Sequence, residues 1–169
     1  MELFIPGLVL VALMVWASTK IKKRAADAFE AETIETANYT LRKPEGFLHV
    51  LNDPAHELYA YSREFGAGAG SKARRATIEI EIFRSESLAD VRNAIKSSAT
   101  DVEVVRETSS ECELETDETA NETSFRCFYK IVRSENAVYR LRFGTLAEHV
   151  NEYVDRINAA LDSFSVRSN

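Results

Sequence analysis

Residues 138–166, VYRLRFGTLAEHVNEYVDRINAALDSFSV, hold a strand running into a long amphipathic helix, and that junction decides the fold. Ala137 to Phe143 has strand composition. Thr145 and Glu148 then stand at capping-box spacing, which predicts a helix start. Leu146, Val150, Tyr153, Val154, Ile157, Leu161 and Phe164 follow one helical face. Such a stripe must be buried, and a sheet of the preceding strands is the surface available to it.

The pattern upstream agrees. Ser124 to Val132 is a strand, joined to Ala137–Phe143 by the polar turn Ser134-Glu135-Asn136. Val102 to Glu107 is a shorter one. Ser87 and Asp90 sit as in a capping box before the apolar stripe Leu88, Val91, Ile95, so a helix runs from Ser87 to about Ser98. Thr77-Ile78-Glu79-Ile80-Glu81-Ile82-Phe83 alternates strictly with period two. Glu57 to Phe65 reads as a strand, and Gly66 to Lys72 as a flexible connection. Asn38 to Arg42 is β-prone and stops at the turn signal Lys43-Pro44-Glu45-Gly46-Phe47. Hairpin strands with segregated helices give an α+β fold, an antiparallel sheet flanked by helices, not a doubly wound parallel sheet.

The N-terminus is different in kind. Leu3 to Thr19 carries no charge, and its seventeen residues make about 26 Å of helix, near the short limit for a bilayer. Leu3, Phe4, Ile5, Leu8, Leu10, Leu13 and Trp16 supply the apolar surface of a single transmembrane anchor, with Trp16 near the interface. Glu2 precedes the stretch, whereas Lys20, Lys22, Lys23 and Arg24 follow it. A cleaved signal has the opposite order, and Ala17-Ser18-Thr19 is a poor cleavage site. Cations stay inside, so the expected topology is an inner-membrane protein with its N-terminus out and its body cytoplasmic; a periplasmic or lumenal body is the alternative. The same four cations can meet anionic headgroups. The division expected is residues 1–24 as anchor and basic flank, 25–37 as a helical stalk, and 38–169 as the folded domain.

From Asn38–Phe47 with its Pro-Glu-Gly, through Ile78–Phe83 and the Ser87 helix, to the hairpin Phe125–Phe143 and the terminal helix with its "SF", the chain resembles the Mog1/PsbP-like fold family. The resemblance covers about residues 38–167. It implies an α/β/α sandwich in which a central antiparallel sheet lies between helices, closed by a short final strand. It also implies an accessory or adaptor role, as in extrinsic photosystem II subunits or binders of a small GTPase, and no catalytic motif comes with it. The plant photosystem subunits lack a retained anchor, so the first segment is an addition to the family pattern.

Composition narrows function further. A net charge of −6 over 169 residues excludes a phosphate-binding surface, hence nucleic acid. Gly66–Lys72 ends in Gly-Ser-Lys ahead of a strand, which is not a phosphate loop. Lys72, Arg74 and Arg75 form a basic cluster beside it. Residues 107–122, ETSSECELETDETANE, read as a self-repelling solvated hairpin loop; with the basic cluster, Glu111, Glu113, Glu115, Asp117 and Glu118 are candidates for an electrostatic docking surface. His49, His56 and His149 are scattered, without ligand or triad spacing, and no cofactor or metal is expected. Cys112 and Cys127 could meet across a hairpin, though a cytoplasmic body would keep them reduced. The expected function is a non-catalytic accessory subunit, docking on and stabilising a larger photosynthetic or respiratory membrane complex through its integral subunits. The alternative is a membrane-tethered binding module for a lipid, a small apolar ligand or a regulatory protein.

Overall fold

The computed structural model describes residues 13–20, 23, 26–66 and 73–167. Ten strands are arranged in two antiparallel sheets. Strands β1 (Glu32–Glu35), β2 (Tyr39–Lys43) and β10 (Ser165–Val166) form a small sheet in the order β1-β2-β10. The main sheet contains β3 (Phe47–Val50), β4 (Leu58–Ser62), β5 (Ala76–Phe83), β6 (Asp101–Glu107), β7 (Glu111–Ala120), β8 (Thr123–Arg133) and β9 (Val138–Leu146), ordered β3-β4-β5-β9-β8-β7-β6. Helix α1 (Leu88–Ser98) lies on one face of it and α2 (Val150–Ser163) on the other. The expected α+β architecture is therefore present.

Each helix finds its face through strand periodicity. Ile78 and Ile80 stand opposite Phe143 and Leu141, and Ala60 and Leu58 oppose Ile78 and Ile80, so one face is continuously apolar. Tyr153, Ile157 and Ala160 of α2 bury into it, and Tyr39 and Leu41 of β2 close the same core from the small sheet. Phe47, Phe143 and Tyr153 meet there edge to face, which adds to the burial of each ring. On the opposite face Leu88, Val91 and Ile95 of α1 cover Cys112, Leu114, Cys127, Tyr129 and Ile131. The capping box at Ser87 and Asp90 is formed, with Ser87 Oγ accepting from the Asp90 N–H and the Asp90 carboxylate accepting from the Ser87 N–H.

Five local expectations are corrected. Residues 111–120 are not a loop but the ten-residue strand β7. Its carboxylates alternate with buried Cys112, Leu114 and Thr116, and that apolar set holds it in the sheet. Phe47, expected as the last residue of a turn, opens the edge strand β3, which the sequence reading left unassigned beyond it. Thr145 and Leu146 complete β9 instead of capping a helix; the Thr145 hydroxyl donates to the Arg75 carbonyl, and a 3-10 turn at Ala147–His149 precedes α2. The buried stripe of α2 is Tyr153, Ile157 and Ala160, and Val154, expected on it, is exposed. In the expected stalk only residues 26 and 27 of the described part are helical; the chain turns at 28–29 and pairs as β1 with β2. Finally, Cys112 faces Ile131 and Cys127 faces Thr116. That four-residue offset separates the thiols by ~13 Å along the strands, beyond disulfide reach, and both cysteines are free.

The β7–β8 connection contains a removable strain. Asn121 and Glu122 both have positive φ, 48° and 63°, as a two-residue type I′ turn requires. A glutamate in the left-handed region costs about 1–2 kcal/mol. Glu122→Gly should relieve this, less the greater entropy glycine has when unfolded, for a net gain of ~0.5–1 kcal/mol. A urea titration will show it as a higher midpoint at unchanged slope.

Candidate functional site

Helix α1 covers only the β7–β8 half of its face. Strands β3, β4, β5 and β9 present the other half without a helix over it among the described residues. The register places Leu48 opposite Tyr61, Val50 opposite Tyr59, Tyr59 opposite Glu79, and Glu79 opposite Arg142. An aromatic and aliphatic strip at the sheet edge therefore borders a charged row at its centre.

Arg142 organises that row. Its Nη1 donates to both oxygens of Glu79 at 3.1 and 3.2 Å, and Nη2 to Glu118 at 3.1 Å and to Cys127 Sγ at 3.0 Å. Nε donates to the Tyr129 hydroxyl at 3.1 Å, and that hydroxyl donates to Glu118 at 2.5 Å. The next rung pairs Arg140 with Glu81 at 2.7 Å. The guanidinium of Arg142 has room because Gly144 is beside it: a Cβ there would stand 2.9 Å from Nη1.

Burial and charge set the protonation states. Burial works against the Arg142 charge, but Cys127, Glu79, Tyr129 and Glu118 together raise its pKa. Burial also tends to raise Glu118, yet the Tyr129 hydroxyl, the Arg142 charge and the Thr116 hydroxyl hold it below its ordinary value. The Cys127 thiol is pushed up to about 12, chiefly by burial, and burial raises Tyr129 as well. Neither is a nucleophile at neutral pH. The arrangement fixes charge; it does not activate a reactive group.

A second feature lies at the end of β4. His56 Nδ1 is 2.9 Å from Asp53 Oδ1, and the imidazole stacks on Tyr59 with ring centroids 5.4 Å apart. The hydrogen bond to His56 is the main reason the Asp53 carboxyl lies below its ordinary value. Asp53 and His56, with Glu81, Phe83 and Arg84, line an open depression of about 430 Å³. No group of three or more His, Cys, Asp or Glu side chains among the described residues is placed to hold a metal.

The residues singled out from the sequence are dispersed. Leu3, Phe4, Ile5, Leu8, Leu10, Lys22, Arg24 and Lys72 lie outside the described residues. Leu13 and Trp16 are helical and exposed, and the Lys20 ammonium sits 4.4 Å over the Trp16 ring. Lys23 is exposed. Arg74 stacks on Tyr61 and Phe65, whereas Arg75 pairs with Glu152 on α2. The acidic set does not form one patch. Glu111, Glu113, Glu115 and Asp117 line the α2 side of the sheet and meet Lys130 and Arg126; Glu118 points to the other face and Arg142. The Arg142 row went unnoticed in the sequence, although IEIEIF and YRLRF carry complementary charges at matching alternate positions.

No family model matches the chain, and no curated protein is similar to it. Among solved structures it is similar to LpqN of Mycobacterium tuberculosis, a protein involved in cell envelope biogenesis. The TM-score is 0.53 at 12% identity, over 81% of this chain and 90% of LpqN. A structure from Bacteroides thetaiotaomicron matches at TM-score 0.50 and 10% identity, over 78% of this chain and 46% of that one. Cyanobacterial PsbP (CyanoP) from Synechocystis matches at TM-score 0.44 and 9% identity, over 82% and 94%. At such identities the likeness to LpqN is one of fold alone.

Proposed function

We propose that this chain is a non-catalytic accessory subunit of Mog1/PsbP-like fold, anchored by its N-terminal helix and docked on a larger membrane complex. The observation that carries the reading is the state of that helix. Leu13, Met14, Val15 and Trp16 are 58–65% exposed at four consecutive positions, which together circle most of a helix. A helix apolar all round needs an apolar medium or another protein around it. No helix among the described residues is by itself long and apolar enough to cross a membrane, and residues 3–12 of the uncharged stretch lie outside them. The topology that goes with this reading keeps the N-terminus out and the domain cytoplasmic, with a periplasmic or lumenal domain as the alternative. Fully engaged polar groups around Arg142 support a scaffold role over catalysis.

Native gels of membranes solubilised in mild detergent test this directly. The subunit reading expects the chain in a band well above its monomer, with co-purifying integral proteins identifiable by mass spectrometry. Migration only as a free monomer counts against it. A second reading, a tethered binding module, is favoured by the uncovered strip of Leu48, Val50, Tyr59 and Tyr61. A small apolar molecule or lipid co-purifying with the monomer would select it instead.

A further inference from the structure

A small depression of about 200 Å³ lies where the two sheets meet, lined by Asn38, Arg84, Glu135, Asn136, Tyr139 and Arg167. Strand ends bring these residues together. Arg84 follows β5, Glu135 and Asn136 form the β8–β9 turn, and Asn38 and Arg167 flank the pairing of β2 with β10. The Arg167 N–H donates to the Asn38 carbonyl at 2.8 Å, and the Ser134 N–H to the Ala137 carbonyl at 2.8 Å, so backbone bonds hold both walls. Asn38 stands one residue before β2, and Lys43 ends that strand, where its ammonium donates to the Glu30 carbonyl. Five residues at ~3.3 Å each place the depression about 17 Å from the point where the N-terminal segment enters.

Tyr139 is the buried member of the set. Only 7% of it is exposed, and it stands opposite Ile82 and Val132 in the core beneath α2. Its hydroxyl has no hydrogen-bond partner among the described residues, yet it is not sealed from solvent, so it opens into the depression. A tyrosine buried to this degree normally gives its hydroxyl to a partner. The Tyr129 and Tyr153 hydroxyls do so, to Glu118 and Glu64.

Two opposite charges border this opening without meeting. Arg84 and Glu135 are both exposed, and neither makes an ion pair among the described residues. Arg167 supplies a second guanidinium. Its bonds to Glu35 at 2.9 Å and to Thr40 Oγ1 at 3.3 Å both come from Nη2, so Nε and Nη1 point at no protein acceptor among the described residues. The carboxamides of Asn38 and Asn136 each offer a donor and an acceptor. Beyond the turn, Arg133 and Glu86 line a neighbouring depression, again one of each sign. Charge is therefore balanced here, which selects neither a plain anion nor a plain cation. It suits a molecule that is both.

We propose that this depression binds a free α-amino acid, its carboxylate on Arg84 and Arg167 and its ammonium on Glu135 and the Tyr139 hydroxyl. A guanidinium donates two parallel hydrogen bonds to a carboxylate, and carboxylate and hydroxyl oxygens both accept from an ammonium. At roughly 30 Å³ per water the space holds about seven waters, the bulk of an amino acid of about six or seven heavy atoms. A free amino acid carries both charges on one carbon, whereas a peptide keeps them at opposite ends. The site goes beyond docking on a membrane complex and does not depend on the anchor.

The test titrates L-alanine and L-serine into the isotope-labelled full chain in detergent micelles, followed by NMR. Saturable shifts centred on the amides of residues 38, 84, 134–139 and 167 are expected, with a dissociation constant on the order of millimolar. L-Alaninamide lacks the carboxylate, and N-acetyl-L-alanine lacks the ammonium. Each should bind at least about tenfold more weakly, having lost its charged hydrogen bonds. Arg84→Gln should weaken alanine but leave alaninamide unchanged; Glu135→Gln should weaken alanine but leave N-acetylalanine unchanged. Tyr139→Phe should weaken alanine by roughly threefold or more. Equal binding of alanine and its two derivatives overturns the proposal, as do saturable shifts centred elsewhere or none below about 50 mM. The comparison of the three compounds on the parent chain decides even where a variant misfolds.

Discussion

Arg142→Ala is expected to destabilise the domain by about 3 kcal/mol, because it strands two carboxylates on a half-covered sheet face. Glu79 and Glu118 are 17% and 20% exposed, and Arg142 is their shared counter-ion. Removing one partner of such a network leaves uncompensated charge, which costs more than the pair itself contributes. The pH dependence gives a sharper test. In the parent chain Glu118 has a folded pKa below its ordinary 4.5. Its contribution is therefore complete above that value and is lost as pH falls through the lower folded one. Without Arg142, burial dominates and the folded pKa rises, so the variant should gain stability on acidification from pH 7 towards 5. Across that range Glu118 leaves the urea midpoint of the parent nearly level, whereas the midpoint of the variant should rise on acidification. Parallel slopes would mean that the carboxylates are solvated well enough not to need the arginine. Arg142→Lys should fall between, since an ammonium keeps the charge but not the fork.

Phe143→Ala is expected to cost a further-reaching 3–5 kcal/mol, the usual range for emptying a buried phenylalanine site. Phe143 is fully buried, 5.4 Å from the Phe47 ring and 6.4 Å from that of Tyr153. It thus joins β9, the edge strand β3 and helix α2. Against a total of roughly 5–15 kcal/mol for a small domain, the loss should leave a large unfolded fraction at 37 °C. Circular dichroism melting measures it. A loss under about 1.5 kcal/mol would show that β2 and α2 close over the cavity.

The elements most legible in the sequence are those whose period is uninterrupted. β5, with Ile at every second position, and α1, with its capping box, form where the pattern places them. β7 was hidden because its charges are conspicuous and its apolar members are modest: a cysteine, one leucine and a threonine. The neighbours decide that segment. Arg126 and Lys130 on β8 neutralise carboxylates that would repel one another in an isolated hairpin. The missing cap at Thr145 has the same origin, since β9 extends three residues further to pair with Phe125 and Arg126 on β8 and Ala76 on β5. Charge composition correctly marked residues 111–118 as unusual, but only the strand register shows which face each acid serves. The Arg142 row needs that register too, because Glu79 and Arg142 are 63 residues apart in the chain.

The berth at Gly144 couples two positions that lie on one strand. A methyl group there would meet the guanidinium at 2.9–3.2 Å, and the guanidinium cannot retreat without releasing Glu79 or Glu118. Residues 142 and 144 are therefore constrained as a pair: a long fork at the first demands a bare backbone at the second, and a bulkier second residue becomes tolerable once the first is shortened and its acids are neutralised. Sequence change can pass through this part of the sheet only by moving several positions together.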